Sequence, residues 1–174
     1  MLTTNNWNAV CLAGVTGSGL VELDKREARA EFVVAAEKYS RNFLAGFTPD
    51  GYCSEGLGYW NYGFGHYLLL AETVRQATKG GVDLFSLPEV KAPAAFGARI
   101  QIIGGVAPAF ADCSVKAQPA EDIMYFVNRR FALGLKAYDA PDLRGIRGSL
   151  FQAMICSFPN AVTDMTPAAD AAGP

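Results

Sequence analysis

Apolar residues in this chain recur at helical spacing and hardly ever alternate. Between Lys25 and Ala45 the apolar residues Ala28, Phe32, Ala35, Ala36, Tyr39 and Phe43 recur at helical spacing, while Glu27, Arg29, Glu31, Lys38 and Arg41 fall mostly on other faces. That spacing gathers the apolar side chains on one stripe of a helix. No segment alternates apolar and polar residues as a half-buried strand must, and no heptad repeat is present. A chain patterned in this way buries its stripes by packing helix on helix. The expected fold class is therefore all-α, with helices paired as antiparallel hairpins.

The hairpins can be bounded. A first helix is expected from Trp7 to Leu23, rich in the small residues Ala9, Ala13, Gly14, Gly17, Ser18 and Gly19, which suit close packing. Asp24 is the expected cap of a second helix from Lys25 to Ala45. The turn residues of TPDGYCSEG separate it from a third helix, Leu57 to Thr78, which closes at Lys79-Gly80-Gly81. Pro88 breaks the chain before a fourth helix from Lys91 to Ile103. The stretch GGVAPAFADCS is irregular. Two more helices are expected, Ala120 to Leu133 and Pro141 to Cys156, the latter with Pro in its first turn. Residues 1–160 then form one domain, and 161–174 a disordered tail.

Composition narrows the function classes. With 51% hydrophobic and 18% charged residues the chain can build a core. A net charge of −2 gives no overall basic field for nucleic acid. Any polyanion would have to be met by a local basic cluster; Arg41, Arg75, Arg129 and Arg130 are candidates, though solvated charge is the better explanation of them. The four cysteines are far apart and there is a single histidine, so neither a metal site nor a cofactor is expected. The cysteines read better as small buried hydrophobes than as a disulfide framework. No apolar run is long enough to span a bilayer, and MLTTNNWNAV lacks the pattern of a signal peptide.

The densest stretch is EGLGYWNYGFGHY, residues 55–67, with four glycines, three tyrosines and the only histidine. Interior glycines each cost a helix roughly 1 kcal/mol relative to Ala, so this segment needs a reason for them. On a helix from Leu57, Tyr59, Tyr62 and His66 share one face. Trp60, Phe64, Tyr67 and Leu68 share an adjoining apolar face that suits a core. Gly58, Gly63 and Gly65 leave gaps that a flat ligand or another backbone could enter. Each polar residue also has a plain structural explanation: the tyrosines and His66 as bonded core groups, and Glu55 as a helix cap beside Ser54. In NNWN, residues 5–8, consecutive Asn can cap a helix or bond a ligand carboxylate or hydroxyl. Asp112, in FADCS, can be a turn residue or position a neighbour.

Taken together, NNWNAVCLAG, DGYCSEGLGYWNYGFGHY, the LF of VDLF and PAFADCS resemble the helical domain of the heparinase II/III-like family, over roughly residues 4–115. The resemblance implies an incomplete (α/α) toroid followed by a β-sandwich domain, with an acidic polysaccharide in the cleft between them. It implies lyase chemistry on uronic-acid polymers by β-elimination. A base takes the C5 proton, an acid serves the departing O4, and something neutralises the carboxylate. By position, Tyr59 matches the family's catalytic Tyr, and Asn6 the Asn that bonds the substrate carboxylate. A phenol ordinarily titrates near pH 10, so work as a base would require nearby positive charge. Asn5, Trp7, Glu55, Trp60, Tyr62 and His66 become substrate-binding or supporting residues.

Two departures accompany the match. Trp7 stands where characterised lyases tend to have His, and the chain starts at the NNWN motif and stops before any β-rich part, where such lyases commonly keep a catalytic histidine. The expectation is a fragment, a truncated gene product or a divergent member, whose activity alone is left open, associating through exposed helical edges with itself or a partner. A full-length family member in a bacterium would be periplasmic or secreted. The alternatives are a non-catalytic carbohydrate-binding or scaffolding module, and a glycoside hydrolase, which would need paired acids such as Glu55 and Asp112.

Overall fold

The computed structural model describes residues 2–139. The chain is all-α: among the described residues the only strand-like feature is an isolated bridge between Ile103 and Val106. Residue contacts divide it into two compact units, Met1–Ala120 and Glu121–Pro174. The expected helix from Pro141 to Cys156, the boundary near residue 160, Cys156 and the tail lie outside the described residues.

In the first unit α1 (Asn6–Glu22) and α2 (Arg26–Leu44) are joined only by Leu23, Asp24 and Lys25, and so fold back on each other as a hairpin. Asp24 does not cap α2. Lys25 holds the cap position, and no side-chain bond closes that end. The hairpin is tied instead by Asn8, fully buried, whose Nδ2 donates to Tyr39 O at 3.1 Å. At the other end of α1, Gly19 meets the Phe32 ring so closely that an added Cβ would lie 2.8 Å from Cγ.

The third expected helix is continuous from Gly56 to Ala77, but its winding changes. It consists of α3 (Gly56–Tyr59), a π-turn (Trp60–Phe64) and α4 (Gly65–Ala77). It ends as expected, with Gly80 at φ +81° donating its N–H to Arg75 O at 2.8 Å. Trp60, Phe64, Tyr67 and Leu68 are fully buried, as the apolar face required. Their rings form a stack that Phe43 of α2 extends: centroids are 5.6 Å apart for Trp60–Phe64, 5.8 Å for Phe64–Tyr67 and 5.9 Å for Phe43–Tyr67. The polar tips of two of these rings fasten the segments that follow. Tyr67 Oη donates to Leu84 O at 2.8 Å, and Trp60 Nε1 donates to Pro93 O at 2.9 Å.

The fourth expected helix is shorter and broken. It comprises α5 (Lys91–Ala94) and α6 (Phe96–Arg99). Pro93 has no N–H to contribute, and Trp60 draws on its carbonyl. Beyond Arg99 the chain turns through Gly104 and Gly105, with Ile102 N bonded to Val106 O at 2.8 Å. The irregular stretch after it is held by Asn61, whose Nδ2 donates to Gln118 O at 2.8 Å and whose Oδ1 accepts from Ala120 N at 2.9 Å.

In the second unit α7 (Glu121–Arg130) buries Ile123, Met124, Phe126 and Val127 and has acidic residues in its first turn and basic ones in its last. The buried Asn128 organises the chain after it. Its Oδ1 accepts from Leu135 N at 2.8 Å, and its Nδ2 donates to Leu135 O at 3.0 Å and Tyr138 O at 3.3 Å. No helix among the described residues is long and apolar enough to cross a membrane.

Candidate functional site

The site is assembled by the approach of two helix starts. The loop 45–55 brings Glu55 to the N-terminus of α1. There its Oε1 accepts from Asn6 Nδ2 at 3.0 Å, and its Oε2 accepts from the Asn6 backbone N–H at 3.3 Å. The first N–H groups of a helix have no intrahelical partner and carry partial positive charge, so a carboxylate is held well there. As a cap, the structural alternative to a substrate-binding role, Glu55 serves α1 rather than the helix it precedes, 49 residues away in sequence. Asn5, in the cap position of α1, makes no side-chain cap bond.

Gly63 explains one of the glycines. A Cβ there would lie 2.8 Å from Asn6 Cβ and 3.1 Å from Asn6 Cα. The gap expected to admit a ligand or a foreign backbone is filled by the chain's own α1. Gly58 is different: nothing lies within 4 Å of a Cβ built on it.

A cavity of about 100 Å³ opens beside Glu55, lined by Thr4, Asn5, Phe43, Gly46, Phe47, Cys53, Ser54, Glu55 and Tyr59. Asn5, Glu55 and Tyr59 are thus brought together. Asn6 lies behind them, 6% exposed, with its amide engaged by Glu55. One Asn6 amide N–H is taken by Glu55, and the exposed Asn5 is the asparagine that lines the cavity. Cys53 is buried, and burial pushes its thiol above the ordinary range, so it lines the cavity as a neutral group.

The remaining expected residues lie elsewhere. Trp60 is 0% exposed with its indole N–H bonded, so no sugar ring can stack on it, and its assignment to substrate binding is corrected to core. Tyr62 and His66 form a pair of their own, with ring centroids 4.7 Å apart and His66 Nδ1 2.6 Å from Tyr62 O. A carbonyl only accepts, so Nδ1 carries the proton in that contact and Nε2 is left for another partner. Neither residue lines the cavity. Trp7 stands 65% exposed on α1, also outside it. Asp112 is exposed on the irregular stretch.

The candidate arginines differ from one another. Arg75 is bonded to the fully buried Glu72 (Nη2 to Oε1, 2.9 Å), Arg41 approaches Glu89 at 3.6 Å, and Arg129 lies over the Tyr125 ring. Cys11, Cys53 and Cys113 are free thiols, and the described residues contain no cluster of His, Cys, Asp and Glu suited to a metal ion.

Sequence reading did not single out Gly46, Phe47 or Thr4 for this cavity. No local signal marks them, because what brings Thr4 to Gly46 is the return of α2 alongside the chain's start. Gly46 is placed so that a Cβ would overlap Thr4 O, 1.8 Å away. No protein-family model matches the chain, and no curated protein matches it.

Proposed function

We propose that this chain is the cleft-forming helical part of a polysaccharide lyase of the heparinase II/III-like kind, an incomplete (α/α) toroid acting on uronic-acid-containing polysaccharide by β-elimination. One observation carries the reading. Asn5, Glu55 and Tyr59 come from two motifs some fifty residues apart, and they meet at one cavity. Tyr59, at the cavity and 37% exposed, is the proton donor to the departing O4. Asn5 faces the sugar, and Asn6 fixes the carboxylate of Glu55. The exposed Trp7 ring offers the kind of apolar surface on which a sugar rests.

Among the described residues the lining has no Lys, Arg or His. Glu55, the carboxylate in the cavity, is already bonded on both oxygens by Asn6, which favours a second reading: a carbohydrate-binding module without catalysis. One assay divides the two. Elimination creates an unsaturated uronate that absorbs in the ultraviolet; hydrolysis and simple binding do not. On a uronate polymer the lyase reading expects this absorbance to grow, and Tyr59→Phe to abolish it with the fold intact. Unchanged turnover in Tyr59→Phe removes Tyr59 from the mechanism. Retarded polymer in a gel without absorbance selects the binding module.

A further inference from the structure

We infer that the cavity beside Glu55 accepts a primary ammonium group, supplied by an unsubstituted amino sugar of the polymer. This rests on the proposal that the polymer binds at the Tyr59 cavity. Three observations lead to it.

The first is charge. Among the described residues Glu55 is the only carboxylate in the lining, and no Lys, Arg or His accompanies it. Asn6 donates one N–H to each carboxylate oxygen from one side. A carboxylate has about four acceptor positions, so positions remain for a donor arriving from the cavity. A uronate carboxylate entering the same space would face a like charge with no cation to offset it.

The second is the rest of the wall. The aromatic residues Phe43, Phe47 and Tyr59 contribute to it, and aromatic faces attract cations. Thr4 and Ser54 add hydroxyl oxygens that can accept from an N–H. The wall thus combines one carboxylate, neutral acceptors and aromatic carbon.

The third is size. Sites that enclose whole ligands run to about 300–1,000 Å³. A cavity of about 100 Å³ takes the head of a functional group and leaves the ring outside. The polymer selected in this way pairs a uronate, held outside the cavity, with a neighbouring hexosamine whose free amine enters it.

The test is a binding titration of the full chain near neutral pH with glucosamine, N-acetylglucosamine, glucuronate and Nα-acetyllysine amide. Glucosamine is expected to bind about tenfold more tightly than N-acetylglucosamine, a difference near 1.4 kcal/mol. Salt should weaken that preference, and Glu55→Gln should remove it. Because Glu55→Gln can also loosen α1, the comparison of ligands on the unaltered chain decides. Equal binding of the two hexosamines, or tightest binding of glucuronate, overturns the inference. Tighter binding of the lysine amide overturns the assignment to a sugar. The outcome is independent of elimination. Amine-selective binding without unsaturated product removes the lyase reading alone, and elimination without amine selectivity removes this inference alone.

Discussion

Glu55 Oε1 lies 3.0 Å from Asn6 Nδ2, and this contact joins the first turn of α1 to the start of the glycine- and aromatic-rich helix. Because Asn5 makes no side-chain cap bond, Glu55 is the side chain seen to satisfy this helix end. Glu55→Ala is therefore expected to lower stability by about 1–2 kcal/mol, the size of a lost helix cap. Urea unfolding of the variant measures this directly; an unchanged midpoint would show that water replaces the carboxylate without loss.

Gly58, in α3, and Gly63, in the π-turn that follows it, should respond oppositely to the same change. Gly63→Ala forces a Cβ to within 2.8 Å of Asn6 Cβ. Overpacking of this kind costs about 1–3 kcal/mol. Gly58→Ala meets nothing within 4 Å and replaces a poor helix former by the best one. It should stabilise the chain by up to about 1 kcal/mol. Melting curves of the two variants, taken side by side, check the sign of each.

Glu72 is fully buried and holds Arg75 through Nε at 3.0 Å and Nη2 at 2.9 Å, with Gln76 Nε2 on the same carboxylate at 2.6 Å. Arg75→Leu leaves that carboxylate buried with less compensation, an expected loss of about 3–5 kcal/mol. Replacing both residues by Leu should cost less than replacing Arg75 alone, because the stranded charge is removed as well. Denaturant unfolding of the single and double variants tests this; a double variant worse than the single one refutes it.

Alkaline pH should unfold the chain earlier than its surface charge suggests. Burial holds the Tyr67 hydroxyl far above its ordinary value of 10.0, and burial also raises the Cys53 thiol above 9.0. Both groups keep their protons in the folded state after the unfolded chain has lost them. Their contribution is complete below the unfolded values and declines above about pH 9 for Cys53 and pH 10 for Tyr67. Each group adds a slope of about 1.4 kcal/mol per pH unit while it titrates only in the unfolded state. Tyr67→Phe should flatten the decline above pH 10, at the expense of the bond to Leu84 O. Stability measured against pH for both proteins would expose a slope that does not change.

What the sequence made legible was local. The stripe Phe32, Ala36, Tyr39 and Phe43 located α2, and the Lys79-Gly80-Gly81 stop located the end of α4, because spacing and cap chemistry act within a few residues. The burial of Trp60, Phe64 and Tyr67 followed from the same periodicity. The partners of the polar groups were not legible. Glu55 looked like a cap for the helix it precedes, yet it serves a helix 49 residues away. Asn6 looked available to a ligand, and Gly63 looked open; each fills the space left by the other. Such pairings depend on how hairpins close in three dimensions, and no short window of residues contains both members. The break between α5 and α6 falls at Ala95, two residues after Pro93; the proline was a readable signal, and the apolar pattern around it outweighed that signal.

The π-turn at Trp60–Phe64 has a consequence for length variation. A π-turn holds one more residue than the α-turn it replaces, so it works as an insertion stored inside a helix. Each residue of an α-helix turns the chain by about 100°. Removing one residue from this turn would let the helix wind regularly and leave the segments on either side near their present phase. Removing one residue from α4 has no such reserve: every side chain beyond it would swing by about 100°, and the buried Val74 would leave the core. Within this helix the damage done by a deletion therefore depends on whether it falls inside Trp60–Phe64 or after it.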